Sequence, residues 1–372
     1  MQIFSTKNNP KNQPQNTHSH CVFNYKNKKI SLLNIQNMKI IYMGTPDFAV
    51  EPLRRLVEAG KNIVAVVTMP DKPAGRGHKI QFSPVKEYAL SVNLPILQPV
   101  NLKDPEFVEQ LRSYQADLQI VVAFRMLPEI VWNMPPLGTF NLHASLLPQY
   151  RGAAPINWAV INGETETGIT TFFLQHEIDT GNIIQQQKID IAPDDNAGIV
   201  HDKLMYLGSD LVLQTVNQIE SGNLTSTPQD AIYCPPVLGG RAQRAEGVNN
   251  SQLSTNLKPA PKIFKETCRI NFNTTAESVR NLVRGLAPYP AAWIELADAE
   301  GNTTNMKIYE VSKELCTPTH PAGRLICDGK KILKVAVLDG YIHLDQVQLA
   351  GKKRMPATDL MRGTDLTQYS IK

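Results

Sequence analysis

The chain has 372 residues, 42% of them hydrophobic and 19% charged, which suits two domains with buried cores. It holds no run of the roughly eighteen apolar residues that a membrane-spanning helix needs, and no secretory leader pattern. A cytoplasmic protein with no membrane association is expected, and its five cysteines, at 21, 234, 268, 316 and 327, lack the CxxC spacing of a zinc site or a disulfide framework.

The formal charge of +4 is unevenly spread. Residues 1–37 hold five lysines and no acid, residues 38–240 carry 14 basic and 21 acidic groups, and residues 258–372 carry 17 and 12. A basic module joined to an acidic one suggests an anionic partner held by the second half, although a surface can also be uneven for no functional reason.

Residues 1–37 are rich in Asn and Lys and lack apolar periodicity, so a disordered extension, or a start assigned too early, is expected ahead of Met38. From Met38 short apolar runs alternate with amphipathic stretches: KIIYM, a helical segment through Leu53 and Leu56 to Gly60, then NIVAVVT. The alternation returns in DLQIVVAF, GTFNLH and GITTFFL. Apolar strands separated by helices point to a mostly parallel α/β sheet with ligands at the carboxyl ends of its strands. A long helical pattern from about Asn196 to Ser221 closes this region. The expected division is a catalytic domain over 38–234, a Pro- and Gly-containing linker over 235–261, and a second domain over 262–372. The second domain shows a helix near Ala276 to Leu286 followed by the runs AAWIEL, MKIYEV, GRLIC, KILKVAVL and YIHLDQVQL, the pattern of a small β-barrel.

Two groups of residues stand out for chemistry. In GTFNLH, Asn141 and His143 are two apart at a strand end and project from one face. An amide there can donate to a developing oxyanion and an imidazole can handle a proton. On its own the triplet also fits a satisfied structural histidine. In EIDTGNII, Asp179 supplies a carboxylate able to orient the imidazole or hold a water, and equally fits a turn before Gly181. MGTPDFA lacks the three glycines of GxGxxG, which speaks against nicotinamide binding. The DTG triplet has no second copy, which speaks against an aspartic protease.

FNLHASLLPQYRGAAPINWAV together with EIDTG resembles the signature of the folate-dependent formyltransferases. The resemblance implies a Rossmann-like catalytic domain with catalytic Asn141, His143 and Asp179, and folate contacts at Ser145, Leu146, Leu147 and Pro148. It also implies 10-formyltetrahydrofolate as co-substrate, with no metal. MGTPDFAV, MPDKPAGRGHKIQFSPVKEYA, KPAPKIFKETCRINFN, VRGLAPYPAAWIEL and QLAGKKRMPATDLMRG resemble the members of that family that act on initiator methionyl-tRNA. That likeness spans roughly 38–365 and implies an OB-like, tRNA-binding second domain. Lys72, Arg76 and Lys79, in a loop with His78, and Lys352, Lys353 and Arg354 are then the candidate RNA contacts, although each group also fits a solvated surface. A monomer is expected. Two other readings stay open: a formyltransferase acting on an amino sugar or nucleotide, and a nonenzymatic RNA-binding protein on a decayed catalytic fold.

Overall fold

The computed structural model describes residues 22–25, 28–31, 37–74, 79–232 and 257–372. Strands β1 (Val22–Tyr25) and β2 (Lys28–Ser31) pair antiparallel, with Tyr25 opposite Lys28. Apart from this ribbon and Asn37, the 1–37 extension lies outside the described residues, as do Arg76 and most of the 235–261 linker.

From Met38 the chain runs β3 (Ile40–Gly44), α1 (Val50–Glu58), β4 (Ile63–Val67), the ribbon β5 (Lys72–Ala74) with β6 (Lys79–Gln81), α2 (Pro84–Ser91), β7 (Ile96–Leu97), α3 (Pro105–Ser113) and β8 (Leu118–Val122). It continues through α4 (Glu129–Trp132), β9 (Thr139–His143), α5 (Pro155–Ile161), β10 (Glu166–Phe173), β11 (Ile183–Asp190), α6 (Ala197–Glu220) and α7 (Gln229–Ile232). Local chemistry sets the helix starts. Ser83, Asp104 and Asn196 each accept a backbone N–H of the first turn with their side chains, and Pro84, Pro105 and Pro155 occupy positions where no amide donor is needed.

Seven strands form one sheet in the order β11-β10-β9-β8-β3-β4-β7. The five from β9 to β7 are parallel, as expected from their apolar runs. GITTFFL departs from that pattern: it lies in β10, which is antiparallel to β9 and to β11, so the sheet is mixed at this edge. Alternation sorts the core into two layers. Ile40, Tyr42, Ile120, Phe140 and Leu142 pack toward α1 and α6, whereas Ile41, Met43, Val67 and Val121 pack toward α3 and α4. The chain moves outward from β3 in one direction through β4 and β7, then in the other through β8 and β9. The carboxyl ends of β3 and β8 therefore flank a switch point, where a crevice opens.

The first α-helix of the second domain is α8 (Ala276–Leu286), capped by Thr275. It continues with β12 (Ala292–Ala297), β13 (Thr303–Leu315), β14 (Leu325–Cys327), β15 (Leu333–Val337), β16 (Gly340–Leu349), β17 (Met355–Pro356), α9 (Ala357–Arg362) and β18 (Ser370–Ile371). The strands form an antiparallel, barrel-like sheet in the order β14-β15-β16-β13-β12-β18, with β17 on β16. Val279, Val283 and Leu286, at helical spacing, join Ile294, Leu296, Ile308, Val335 and Ile342 in its core. α8 also meets the first domain. Asn157 Nδ2 donates to the Gly285 carbonyl (2.8 Å), Arg280 pairs with Asp194 (2.6 Å), and Arg284 Nη1 donates to the Asp195 carbonyl (3.0 Å).

Candidate active site

A cavity of about 790 Å³ opens at the switch point. It is walled by residues 46–48 after β3, Val121 and residues 123–127 at and beyond the end of β8, 141–144 at the end of β9, residues 152–157 leading into α5, the stretch 174–179, and His201 of α6. Asn141, His143 and Asp179 all face it, so residues 38 positions apart in sequence meet on one wall.

Asn141 and His143 project from the side of the sheet opposite Phe140 and Leu142. The Asn141 amide has no hydrogen-bond partner among the described residues and is left to face the cavity. His143 is 6% exposed, and its ring sits edge-on to Phe172 at 6.4 Å. Its Nε2 lies 2.9 Å from the Tyr150 carbonyl. A carbonyl can only accept, so this contact assigns the proton to Nε2 and turns Nδ1 toward Asp179. Nδ1 stands 3.9 Å from Asp179 Oδ2, and that oxygen accepts the Gly152 N–H at 3.0 Å.

Two glycines make this possible. A Cβ on Gly181 would lie 1.6 Å from the Phe173 carbonyl oxygen, so only glycine lets the Asp179 loop close against β10. Gly152, at φ +128°, would put a Cβ 2.4 Å from the Ala260 carbonyl oxygen. That approach lets Ala260, at the end of the 235–261 linker, bridge to Gly152, with its carbonyl accepting the Ala153 N–H (2.7 Å).

Ser145, Leu146, Leu147 and Pro148 do not line the cavity. Ser145 is fully buried, with its hydroxyl donating to the Gln149 carbonyl (2.7 Å). The Leu147 carbonyl accepts from Gln186 (2.8 Å), and its side chain packs with Phe172 and Ile183. This stretch forms the base of the loop that turns toward Gly152. Lys72 is exposed on β5, and of Lys79 only the backbone, in β6, is described. In the second domain Lys352 Nζ donates to Thr364 Oγ1 (2.8 Å). Arg354 pairs with Glu310 (2.5 Å) and lies over the Tyr309 ring. Lys353 is exposed, with no ionic partner among the described residues.

Sequence reading missed several wall residues. Phe48 and His201 meet edge-on with ring centroids 5.1 Å apart, and His201 Nε2 lies 3.8 Å from Asp47. Arg125 donates to the Val100 (2.8 Å) and Pro99 carbonyls, and burial lowers its pKa from the usual arginine value. His201 looks like any residue of an amphipathic helix, and Arg125 is a single charge after a strand. Nothing local marked either one. Among the described residues no cluster of three or more His, Cys, Asp or Glu is placed to hold a metal ion, and no helix is long and apolar enough to cross a membrane.

Known proteins share this organisation. Residues 38–216 match the formyl transferase family and residues 262–365 match the formyl transferase C-terminal domain. A methionyl-tRNA formyltransferase of Bacteroides fragilis is 58% identical over 333 residues, covering 90% of this chain and 97% of the relative. One from Bacteroides thetaiotaomicron is 59% identical over 332 residues, 89% of this chain and 97% of the relative. The solved structure of WlaRD, a sugar 3N-formyl transferase, superposes with a TM-score of 0.56 at 19% identity, covering 85% of this chain and 99% of that one, a likeness of fold. With both domains matched in order and relatives of this identity aligned over nearly their whole length, the chain belongs to the formyl transferase family.

Proposed function

We propose that this chain transfers the formyl group of 10-formyltetrahydrofolate to the amino group of initiator methionyl-tRNA, with Asn141, His143 and Asp179 as its catalytic residues. The observation that carries this is their convergence on one wall of a switch-point cavity, with the Asn141 amide free to donate. A cavity of this size, with a mixed apolar and polar lining, suits a ligand as large as a folate.

The folate supplies a formyl carbon joined to N10. A neutral amine forms the new N–C bond, the bond from N10 to carbon breaks, the amine gives up one proton and N10 gains one. Asn141 donates its amide hydrogens to the formyl oxygen as negative charge builds there. His143 presents Nδ1 toward the reacting centre, its ring fixed by Nε2 on the Tyr150 carbonyl. Asp179 faces that nitrogen with Oδ2 and supports positive charge on the ring.

Lys352, Lys353 and Arg354 in the second domain, with Lys72, Arg76 and Lys79 in the first, are the proposed contacts to RNA phosphates. Ser145 to Pro148 would contact folate only where the loop base meets an end of the ligand, since they lie off the cavity wall. We place the protein in the cytoplasm, as a monomer. The test is incubation with labelled 10-formyltetrahydrofolate and either methionyl-tRNA, free amino sugars or no acceptor. Label on the tRNA alone is the expected result, and label on an amino sugar alone would overturn the reading.

A further inference from the structure

Gln229, on the four-residue helix α7, is 3% exposed and does not line the cavity, yet its side-chain hydrogen bonds all go to Asp179, Gly181 and Arg151, within or beside the two stretches that build it. Its Nε2 donates to the backbone carbonyls of Asp179 (2.8 Å) and Gly181 (2.9 Å). Its Oε1 accepts from Arg151 through Nε (3.1 Å) and Nη2 (2.5 Å). A primary amide has two donor hydrogens and an oxygen with two lone pairs, so every hydrogen-bonding position of this side chain is used. The approach to α7 is itself pinned, because Thr227 and Ile183 exchange two backbone hydrogen bonds of 2.8 Å.

Asp179 sits at φ +56°, in the left-handed region that a residue with a Cβ enters only against a steric cost. Its surroundings must hold it there. The hydrogen bond from Gln229 to the Asp179 carbonyl acts on that peptide unit. The bonds from Arg151 to Gln229 act on the neighbouring loop, where the next residue, Gly152, donates its N–H to the Asp179 carboxylate. One buried amide thus ties the backbone of Asp179 to the loop that holds its side chain.

We infer that Gln229 is a positioning residue for formyl transfer, setting the Asp179 carboxylate at its place beside His143. This rests on the catalytic role proposed above for Asp179. It goes further in assigning a role to a residue outside the cavity, next to the start of the interdomain segment.

The test is a kinetic cycle in the full-length enzyme. Turnover and KM for methionyl-tRNA are measured for Gln229→Leu, Asp179→Ala and the double variant, together with thermal unfolding. Gln229→Leu should lower turnover by roughly ten- to a hundredfold, with KM changed less than about twofold, because a misplaced group costs rate rather than uniform binding. In the Asp179→Ala background the same change should cost less than about twofold, since residues acting through one another do not add. Gln229→Glu keeps an acceptor for Arg151 but loses both donors, so it should be as slow as Gln229→Leu. It also carries the same cycle should the leucine variant fail to fold. Full turnover in Gln229→Glu, or an equal loss in both backgrounds, would overturn the positioning role. Full turnover in Asp179→Ala is a separate outcome, and it would bring down the catalytic reading itself.

Discussion

Nδ1 of His143 faces Oδ2 of Asp179 across 3.9 Å, and a second contact, the Gly152 N–H at 3.0 Å, holds that same carboxylate oxygen. The carboxylate is therefore fixed from one side and presented to the imidazole from the other. A gap of 3.9 Å exceeds a direct hydrogen bond, and with the proton on Nε2 both Nδ1 and the carboxylate accept, so the pair joins through a water that donates to both or directly once Nδ1 takes up a proton.

Asn141→Ala, His143→Ala and Asp179→Ala should each lower turnover at saturating substrates while leaving tRNA affinity and the unfolding temperature nearly unchanged. Losing a preorganised oxyanion donor, the role proposed for Asn141, costs on the order of a hundredfold in rate. The three losses should not add in combination. Steady-state kinetics on the purified variants checks this, and near-normal turnover in His143→Ala would remove it from the site.

Neutralising Lys352, Lys353 and Arg354 together should weaken methionyl-tRNA binding and flatten its salt dependence, by roughly one released counterion per lost phosphate contact. Lys353 should account for the larger share, because Lys352 and Arg354 already have protein partners whereas Lys353 has none among the described residues. Arg76→Ala should behave differently and lower turnover as well as binding, if its loop holds the acceptor end beside the reacting carbon. Kinetics with varied tRNA at several salt concentrations separates the two patterns.

Gly152→Ala should impair both stability and rate. The added Cβ would meet the Ala260 carbonyl at 2.4 Å, and backbone there can move only by opening the Gly152 to Ala260 bridge. Overpacking of this kind costs about 1–3 kcal/mol. The displaced Gly152 N–H would also release Asp179, so turnover should fall by more than the lost fraction of folded protein explains. Thermal unfolding and active-site-normalised turnover measure the two effects separately.

Stability should carry an acid-sensitive contribution from Glu164. Burial pushes its carboxyl pKa up, but hydrogen bonds from Lys258 and Tyr150, with the Lys258 charge, outweigh that and hold it below the usual carboxylate range. The ionised form is favoured more in the folded chain than in the unfolded one, where glutamate titrates near about 4.3. Its stabilisation is thus present above that pH and is lost as pH falls through the lower folded value. Glu164→Gln should unfold at a lower temperature than the parent at neutral pH, and the difference should vanish in acid. A difference that persisted unchanged to low pH would contradict this.

Sequence alone determined the parts whose cause is local. Apolar runs such as IIYMG and LQIVV specify buried strands because both of their faces must find cover, and Asn196 and Ser221 bound the long helix α6 as its end residues. The barrel-like second domain was legible from short alternating runs, of which Ala292, Ile294 and Leu296 are the inward set. Asn141 and His143 could be paired from sequence because a strand places alternate residues on one face. The tertiary structure decided the rest. GITTFFL reads like its parallel neighbours, and only its partners make it antiparallel, since an apolar run does not encode strand direction. Asp179 reaches His143 because β10 returns beside β9 and the loop after it folds back over Gly181, a contact between residues 36 apart. Gln229, His201 and Arg125 carried no local signal, because their roles depend on which backbone comes to lie beside them once the sheet is assembled.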